Sequence, residues 1–438
     1  MTNQKRFFFG LFFLGFILRI LLLFYDFSFD VNNHITWAKD LWQRGFGDFY
    51  NIPSSEAFAS KFPNYPPLSL FMFYIIYPLQ SIIYNLTWWL NITFPIFPSK
   101  IVLFIESRMF LAGLMKLPAI FADLGLAAMS YKIAQKMNPT DKKPPLIIAA
   151  LILFNPAFFY NSALWGQIDV IPLLFIVFSF YFLFFSKRHL LSNVIFTLAI
   201  LIKPTVLVFL PFYILFFIKK NNVKNIIYAF IIANIIFWIS FLPFIKLHDI
   251  FTPYSIFIDK ILTKQSLPFV TNGAFNFWIL ITYFEGIKDI APFVFGISYR
   301  IWGYILVAVF WLLVTGYLLK NKKITPENIF LALALFGLGA FLFLTKMHER
   351  YLMLPLPFLL LASVKYRKLL PWFLYLSLIS FLNMYHSWPV PRIEPLFQVI
   401  NHPFSVKIIS MGNLFVAFYL LYRIKSTFAP RMTVENSL

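Results

Sequence analysis

The sequence lacks cysteine altogether, and it contains little glycine and little acidic charge. Without cysteine there are no disulfide bonds, no thiolate nucleophile and no cysteine ligands for zinc. The 15 glycines form no Gly-rich phosphate loop, and the 6 histidines form no HExxH pair. The sequence therefore indicates neither a nucleotide held by a P-loop nor a zinc site of these kinds.

Charge of either sign is scarce, and apolar residues dominate. Only 12% of the residues are charged, 60% are hydrophobic, and the mean hydropathy is +0.77. A soluble domain of this length would need far more polar surface. The apolar runs are continuous and long enough for helical spans, so the sequence predicts an all-α, polytopic integral membrane protein rather than a β-barrel. Residues 7–24 are too long and too aromatic for a cleavable signal and are predicted to form a first anchor.

The net charge of +20 is explained by membrane topology. The Lys and Arg residues cluster between apolar runs, which is typical of cytoplasmic loops and removes the case for a nucleic-acid partner. The clusters are Lys5–Arg6, Lys132–Lys143, Lys187–Arg188, Lys219–Lys224, Lys320–Lys323, Lys365–Lys368 and Arg423–Arg431. Successive clusters are separated by enough apolar sequence for two crossings, so both termini are predicted inside, with about twelve spans (roughly 10–14).

The predicted spans are 7–25, 108–131, 145–160, 170–185, 190–202, 205–218, 225–245, 301–319, 328–345, 351–364, 370–384 and 405–422. The chain is predicted to be one membrane domain, 1–438, with long external segments at 26–107 and 246–300. Residues 67–105 lie between two inner clusters and add either a hairpin of two spans or none. Their prolines favour helices on the outer surface. Because the long segments are external, we expect the chemistry there.

Polar side chains converge on the outer ends of the predicted spans, where each has a structural alternative. They are Asp30, Trp165, Gln167, Asp169, Lys203, Lys346, His348, Glu349 and Arg350. Alone, Lys203 or Lys346 would be a snorkelling anchor, and Asp30 or Asp169 a helix N-cap. Arg19 and Asp123 inside spans are candidates for a structural pair. The four polar residues within 346–350 are harder to explain as anchors and indicate a functional loop.

This set of residues suits a lipid-linked sugar phosphate, a donor that reaches the outer face of cells. Such a donor needs a groove for its polyprenyl chain and cations for the departing phosphate, such as Lys203, Lys346 or Arg350. It also needs one carboxylate to take the proton of the acceptor hydroxyl, and Asp30 fits that role.

Several short motifs resemble one superfamily. The stretch "DVNNHITW" at 30–37 and "NYPPL" at 64–68 resemble the first external loop of the dolichyl-phosphate-glucose-dependent glucosyltransferases of the N-glycan precursor pathway, where the second motif reads DYPPL. Their HEK motif corresponds to "HER" at 348–350. "NP…WGQ-D" within 155–169 and "NGAFNFW" at 272–278 resemble prokaryotic relatives of the GPI second mannosyltransferase. All belong to the GT-C superfamily of membrane glycosyltransferases.

The resemblance implies a GT-C-like fold and inverting transfer of a hexose, mannose or glucose, from a polyprenyl- or dolichyl-phosphate sugar to a glycan or lipid-linked acceptor. It implies no metal and no other cofactor, with membrane lipid as surroundings. The active site would face the outside of a prokaryotic plasma membrane, or the lumen in a eukaryotic ER membrane. Two alternatives stay open: a flippase or transporter of lipid-linked glycans, and an oligosaccharide ligase or polymerase.

By the same resemblance Asp30 is the general base, and His348 lies near the donor phosphate. Lys203, Lys346 and Arg350 would bind that phosphate, with Arg350 standing where the family has lysine. The remaining candidates are substrate contacts, namely Trp37, Tyr65, Trp165, Gln167, Asp169, Asn276 and Glu349. Asn64 stands where the family has an acidic residue, so we assign it no catalytic role.

Overall fold

The computed structural model describes residues 3–58, 60–141, 143–245, 249–263, 267–320 and 324–426. The basic clusters predicted at Lys320–Lys323 and Arg423–Arg431 lie partly outside these residues. The first helices are α1 (Asn3–Leu23), α2 (Phe29–Arg44), α3 (Pro67–Ile76), α4 (Leu79–Thr93), α5 (Ser99–Glu106), α6 (Arg108–Met137), α7 (Lys143–Leu153), α8 (Pro156–Phe159), α9 (Val170–Phe184), α10 (His189–Ile202), α11 (Leu210–Lys220) and α12 (Val223–Phe241).

The later helices are α13 (Thr252–Ser255), α14 (Ile279–Thr282), α15 (Tyr299–Leu319), α16 (Pro326–Phe343), α17 (Leu356–Ser363), α18 (Leu370–Ser387), α19 (Glu394–Asn401) and α20 (Pro403–Ser426). Two-residue strands β1 (Thr271–Asn272) and β2 (Met347–His348) pair in parallel. The all-α prediction missed this pairing because two residues carry no readable alternation. Short 3₁₀ or π turns complete the described elements, at Phe49–Asn51, Tyr160–Trp165, Pro204–Phe209, Leu242–Phe244, Ile256–Leu262, Val294–Gly296, Glu349–Met353 and Arg367–Leu369.

Eight helical segments among the described residues are long and apolar enough to cross a membrane. They are Arg6–Leu23, Pro67–Thr93, Arg108–Met137, Lys143–Trp165, Val223–Phe244, Tyr299–Leu319, Pro326–Phe343 and Pro403–Lys425. The chain is therefore a predominantly helical membrane protein. All twelve predicted spans fall on helical segments, but some are short, such as α9 with 15 residues and α10 with 14. The count of twelve crossings stays a prediction.

The segment Pro67–Thr93 is long and apolar enough to cross a membrane, and the surface helices expected for residues 67–105 stay a prediction. Helices α3 and α4 follow each other closely, and together they are long and apolar enough to span. Pro78 lies at the joint, where it begins a new helix instead of ending the helical segment. Proline is tolerated at a helix start because the amide it lacks has no intrahelical partner there.

The chain divides into two compact units. Unit 1 comprises Met1–Leu267 and Met384–Glu394, and unit 2 comprises Pro268–Asn383 and Pro395–Leu438. In unit 1 the long helix α6 packs against α1, α2, α7 and α9, and α10 packs against α9 and α12. In unit 2 helix α16 is the core element, with neighbours α15, α17 and α20.

Candidate active site

The carboxylate of Asp30 is held at the start of helix α2 in unit 1. Its Oδ2 accepts a hydrogen bond of 3.0 Å from Nε1 of Trp165. Asp30 lies in the first turn, while Ser28 occupies the N-cap position, so the N-cap alternative for Asp30 is wrong. A negative charge in a first turn is favoured by the unpaired amides and the helix dipole. The side chain is half-buried, so this carboxylate is both oriented and reachable.

A π turn follows α8 and ends in a sharp turn of the backbone, and this path brings Trp165 to Asp30. Residues Tyr160–Trp165 form a π turn, a feature often found at functional sites. It ends at Gly166, whose φ of +84° lies in the left-handed region. A Cβ at Gly166 would stand 2.2 Å from Cγ2 of Val31, so only glycine allows this close approach to α2. The backbone geometry therefore explains why a glycine stands in the WGQ motif.

Lys116 of helix α6 fixes the two segments that meet at Asp30, and the sequence interpretation missed it. Its side chain is fully buried. The Nζ donates to the carbonyl of Leu23 at 2.9 Å, to that of Ala163 at 3.0 Å, and to that of Asp26. These carbonyls belong to the end of α1, the loop before α2 and the π turn. A lysine within the predicted span 108–131 was the signal that could have revealed it.

We expect Lys116→Met to destabilise the protein by about 2–3 kcal/mol, because methionine fills the space but leaves buried carbonyls without a donor. Thermal unfolding in detergent would measure the loss. Lys132→Met provides the matched control, since Lys132 lies on the same helix with an exposed side chain. Equal stability of the Lys116 and Lys132 variants would contradict the role assigned to Lys116.

A second cluster in unit 1 brings together four predicted residues, with Lys203 at its centre. Its Nζ lies 2.5 Å from Oδ1 of Asp169 and 3.2 Å from Oε1 of Gln167. The same Nζ stands 5.2 Å from the ring centre of Tyr65, whose hydroxyl donates to Gln167 at 3.3 Å. Lys203 is 1% exposed and Asp169 is 4% exposed. A donor phosphate arriving here would meet an ion pair.

Of the simple structural alternatives for the two charged residues of this cluster, the one for Lys203 is wrong. Lys203 does not snorkel, because its ammonium is buried against a carboxylate instead of reaching the interface. Asp169 occupies the N-cap position of α9, as its structural alternative predicted, but its side chain makes no cap hydrogen bond there and binds Lys203 instead. Both charges are retained in a buried, hydrogen-bonded pair, which marks the cluster as a constraint on the fold.

Aromatic side chains surround both clusters. Trp37 is 2% exposed and packs edge-on against Tyr65, with ring centres 5.5 Å apart. It therefore supports Tyr65 from the protein interior. The sequence interpretation missed Trp388, whose ring centre lies 5.6 Å from that of Trp165. The hydroxyl of Tyr160 donates to the carbonyl of Trp388. A wall of aromatic faces beside a fixed carboxylate suits a ligand with both apolar and polar sides.

The predicted loop 346–350 lies in unit 2, with its HER residues bound to one another. Oε1 of Glu349 lies 2.6 Å from Nη1 of Arg350, and Oε2 lies 3.6 Å from Nδ1 of His348. Burial alone raises the pKa of Glu349, but the charge of Arg350 and the His348 contact outweigh it, so the pKa falls below its ordinary value. The strand pairing of Asn272 with His348 fixes the start of this group. Residues that only anchor a helix end in the membrane would not require this network of charged side chains.

Lys346 stands beside a second ion pair of unit 2. It adopts a left-handed φ of +62°, and its amide donates to the carbonyl of Val270 at 3.1 Å. Burial lowers the pKa of Lys346; Asp289 opposes this shift and Arg300 adds to it. Arg300 binds Asp289 through two bonds of 2.7 and 2.8 Å. Lys346 thus lies partly buried beside the Asp289–Arg300 ion pair.

Asn276, predicted as a substrate contact, is fully buried and bound to backbone. It donates to the carbonyl of Phe341 at 3.2 Å and accepts from the amide of Trp278 at 3.1 Å. These bonds position the turn before α14. The predicted candidates thus form groups within each unit: Asp30 with Trp165 and Lys203 with its partners in unit 1, and the 346–350 loop in unit 2.

No protein-family model matches the chain, and no curated protein matches its sequence. Function is therefore inferred from the geometry of these groups together with the motif resemblance.

Proposed function

We propose that the protein is an inverting GT-C-like glycosyltransferase that moves mannose or glucose from a polyprenyl- or dolichyl-phosphate sugar to a glycan or lipid-linked acceptor. The observation that carries the proposal is the 3.0 Å bond between Asp30 and Trp165. The two residues come from separate motifs 135 positions apart, and their meeting leaves a carboxylate oriented and half-buried beside aromatic rings.

In the proposed reaction Asp30 takes the proton of an acceptor hydroxyl while that oxygen attacks C1 of the donor sugar. The bond between C1 and the phosphate oxygen breaks, and the phosphate leaves with the electron pair. A single displacement inverts the configuration at C1. The Trp165 indole would hold the carboxylate in place, and the partly exposed Trp388 would pack against a sugar ring.

A departing phosphate requires cations, and by the motif resemblance His348, Arg350 and Lys346 are the candidates for that role. Glu349 orients His348 and Arg350 by contacting both. The proposed architecture has about twelve spans. The active site would be extracytoplasmic, in a prokaryotic plasma membrane or in the ER membrane of a eukaryote.

Wild-type protein in liposomes is expected to transfer radiolabelled hexose from polyprenyl-phosphate mannose or glucose to a crude pool of lipid and glycan acceptors. A pyrophosphate-linked oligosaccharide, supplied in parallel, should not serve as donor. Use of that donor instead would indicate a ligase or polymerase. Movement of a lipid-linked glycan across the bilayer without transfer would indicate a flippase and overturn the proposal.

A further inference from the structure

One stretch of unit 1 carries positive charge with no acidic residue to balance it. Between Asp169 and Asp249 the sequence contains 7 Lys and Arg residues and no Asp or Glu. Five of the seven lie on the connection from α9 to α10 or on the helix ends that flank the connection from α11 to α12. They are Lys187, Arg188, Lys219, Lys220 and Lys224.

The structure brings these two connections together. Nδ1 of His189 lies 2.8 Å from Oδ1 of Asn221, which joins the start of α10 to the connection before α12. Further along the helices, the amide of Asn193 donates to the carbonyl of Ala229 at 2.8 Å. Helices α10 and α12 therefore begin side by side, with their N-termini at the same end of the bundle.

A cavity of about 400 Å³ lies at this junction. It is lined by Lys187, Arg188, His189, Leu190, Leu191 and Asn225. Helix α10 begins at this cavity with no side-chain cap, so the amides of its first turn lack the usual acceptor. The uncapped start of α10, two cations and a cavity together favour a bound anion, whereas the first turn of α12 is already capped by the side chain of Asn222.

An apolar stripe runs along α12 from the same place. Val223 is 72% exposed at the start of the helix, and Phe230 is 70% exposed two turns later. Ile227, Ile231 and Ile235 are each about half exposed along the same helix. Membrane topology explains why basic residues stand on these connections. It does not explain an uncapped helix start facing a cavity that opens beside a lipid-facing stripe.

We propose that this cavity binds the phosphate headgroup of an anionic phospholipid, whose acyl chains lie along the exposed face of α12. Arg188 and Lys187 pair with the phosphate, and the first-turn amides of α10 donate to it. The stripe selects a lipid over a free phosphate ion, because only a lipid buries apolar surface there. The site is independent of the glycosyltransferase proposal.

The test uses the full chain, purified in neutral detergent and depleted of lipid. Binding of phosphatidylglycerol, phosphatidylcholine and inorganic phosphate is measured by native mass spectrometry and by the shift in thermal unfolding. The variant is Lys187→Gln/Arg188→Gln. Its matched control is Arg367→Gln/Lys368→Gln, which removes the same charge from the exposed connection between α17 and α18.

We expect the Lys187/Arg188 variant to bind phosphatidylglycerol at least tenfold more weakly than wild type and the control variant. Phosphatidylcholine binding should be the same in all three proteins, and inorganic phosphate should give little thermal stabilisation. An equal loss in the control variant would reduce the effect to net charge and overturn the site. Stabilisation by phosphate equal to that by phosphatidylglycerol would overturn the assignment to a lipid.

Discussion

Replacing Asp30 with asparagine should lower the turnover number for sugar transfer by about 10²–10⁴-fold, the range that a general base contributes. Asparagine keeps the shape of the side chain, and its carbonyl oxygen can still accept the hydrogen bond from Trp165. The fold should therefore survive while the acceptor hydroxyl loses its proton acceptor. Transfer of labelled hexose by the purified variant in liposomes measures the loss, with thermal unfolding as the check on folding.

The control for this experiment lies on the same helix. Asp40→Asn removes a carboxylate that pairs with Arg44 at 2.7 Å and belongs to none of the predicted motifs. We expect it to transfer sugar at close to the wild-type rate. A well-folded Asp30→Asn protein that retains wild-type turnover would limit Asp30 to stabilising the first turn of α2. The turnover number of Trp165→Phe should lie between those of Asp30→Asn and Asp40→Asn, because the substitution releases the Asp30 carboxylate without removing it.

The largest loss of stability is expected from breaking the buried ion pair of unit 1. Nε of Arg19 lies 2.8 Å from Oδ2 of Asp123, and both side chains are fully buried. Arg19 also donates to the carbonyls of Gly15 and Leu153. Asp123→Leu should cost about 3–5 kcal/mol, since it leaves a buried guanidinium without its counter-charge.

A double variant separates the charge effect from packing. Arg19→Leu/Asp123→Leu removes both charges and should be less destabilised than Asp123→Leu alone, because no unpaired ion remains. Unfolding in detergent is followed for Arg19→Leu, Asp123→Leu and the double variant. The three free energies of unfolding give the coupling free energy between the two residues. Glu56→Gln, which breaks the exposed contact with Lys39, should change little. A double variant as unstable as the sum of the singles would contradict the pairing argument.

The sequence predicted best what depends on local pattern. Continuous apolar runs located the helices of all twelve predicted spans, and the Arg19–Asp123 pair, raised only as a candidate, is confirmed. Asp30 and Trp165 were both placed at the outer ends of predicted spans, but the sequence did not predict that the two side chains meet. Lys116 could be noticed only as a charged residue within a predicted span, because its partners are backbone carbonyls that any residue could supply. Trp388 was missed for a related reason: its contact with Trp165 joins positions far apart in sequence.

The Arg19–Asp123 pair also has a consequence for the order in which the chain is made. Arg19 leaves the ribosome on α1, and its counter-charge follows 104 residues later on α6. Until then α1 enters the bilayer with an uncompensated cation, which costs roughly 2.5–3.5 kcal/mol near the centre of a helix. Ser162, which also bonds Asp123 at 2.5 Å, arrives later still. We therefore expect α1 to be held less firmly in the membrane until α6 emerges, because its arginine has no counter-charge before then.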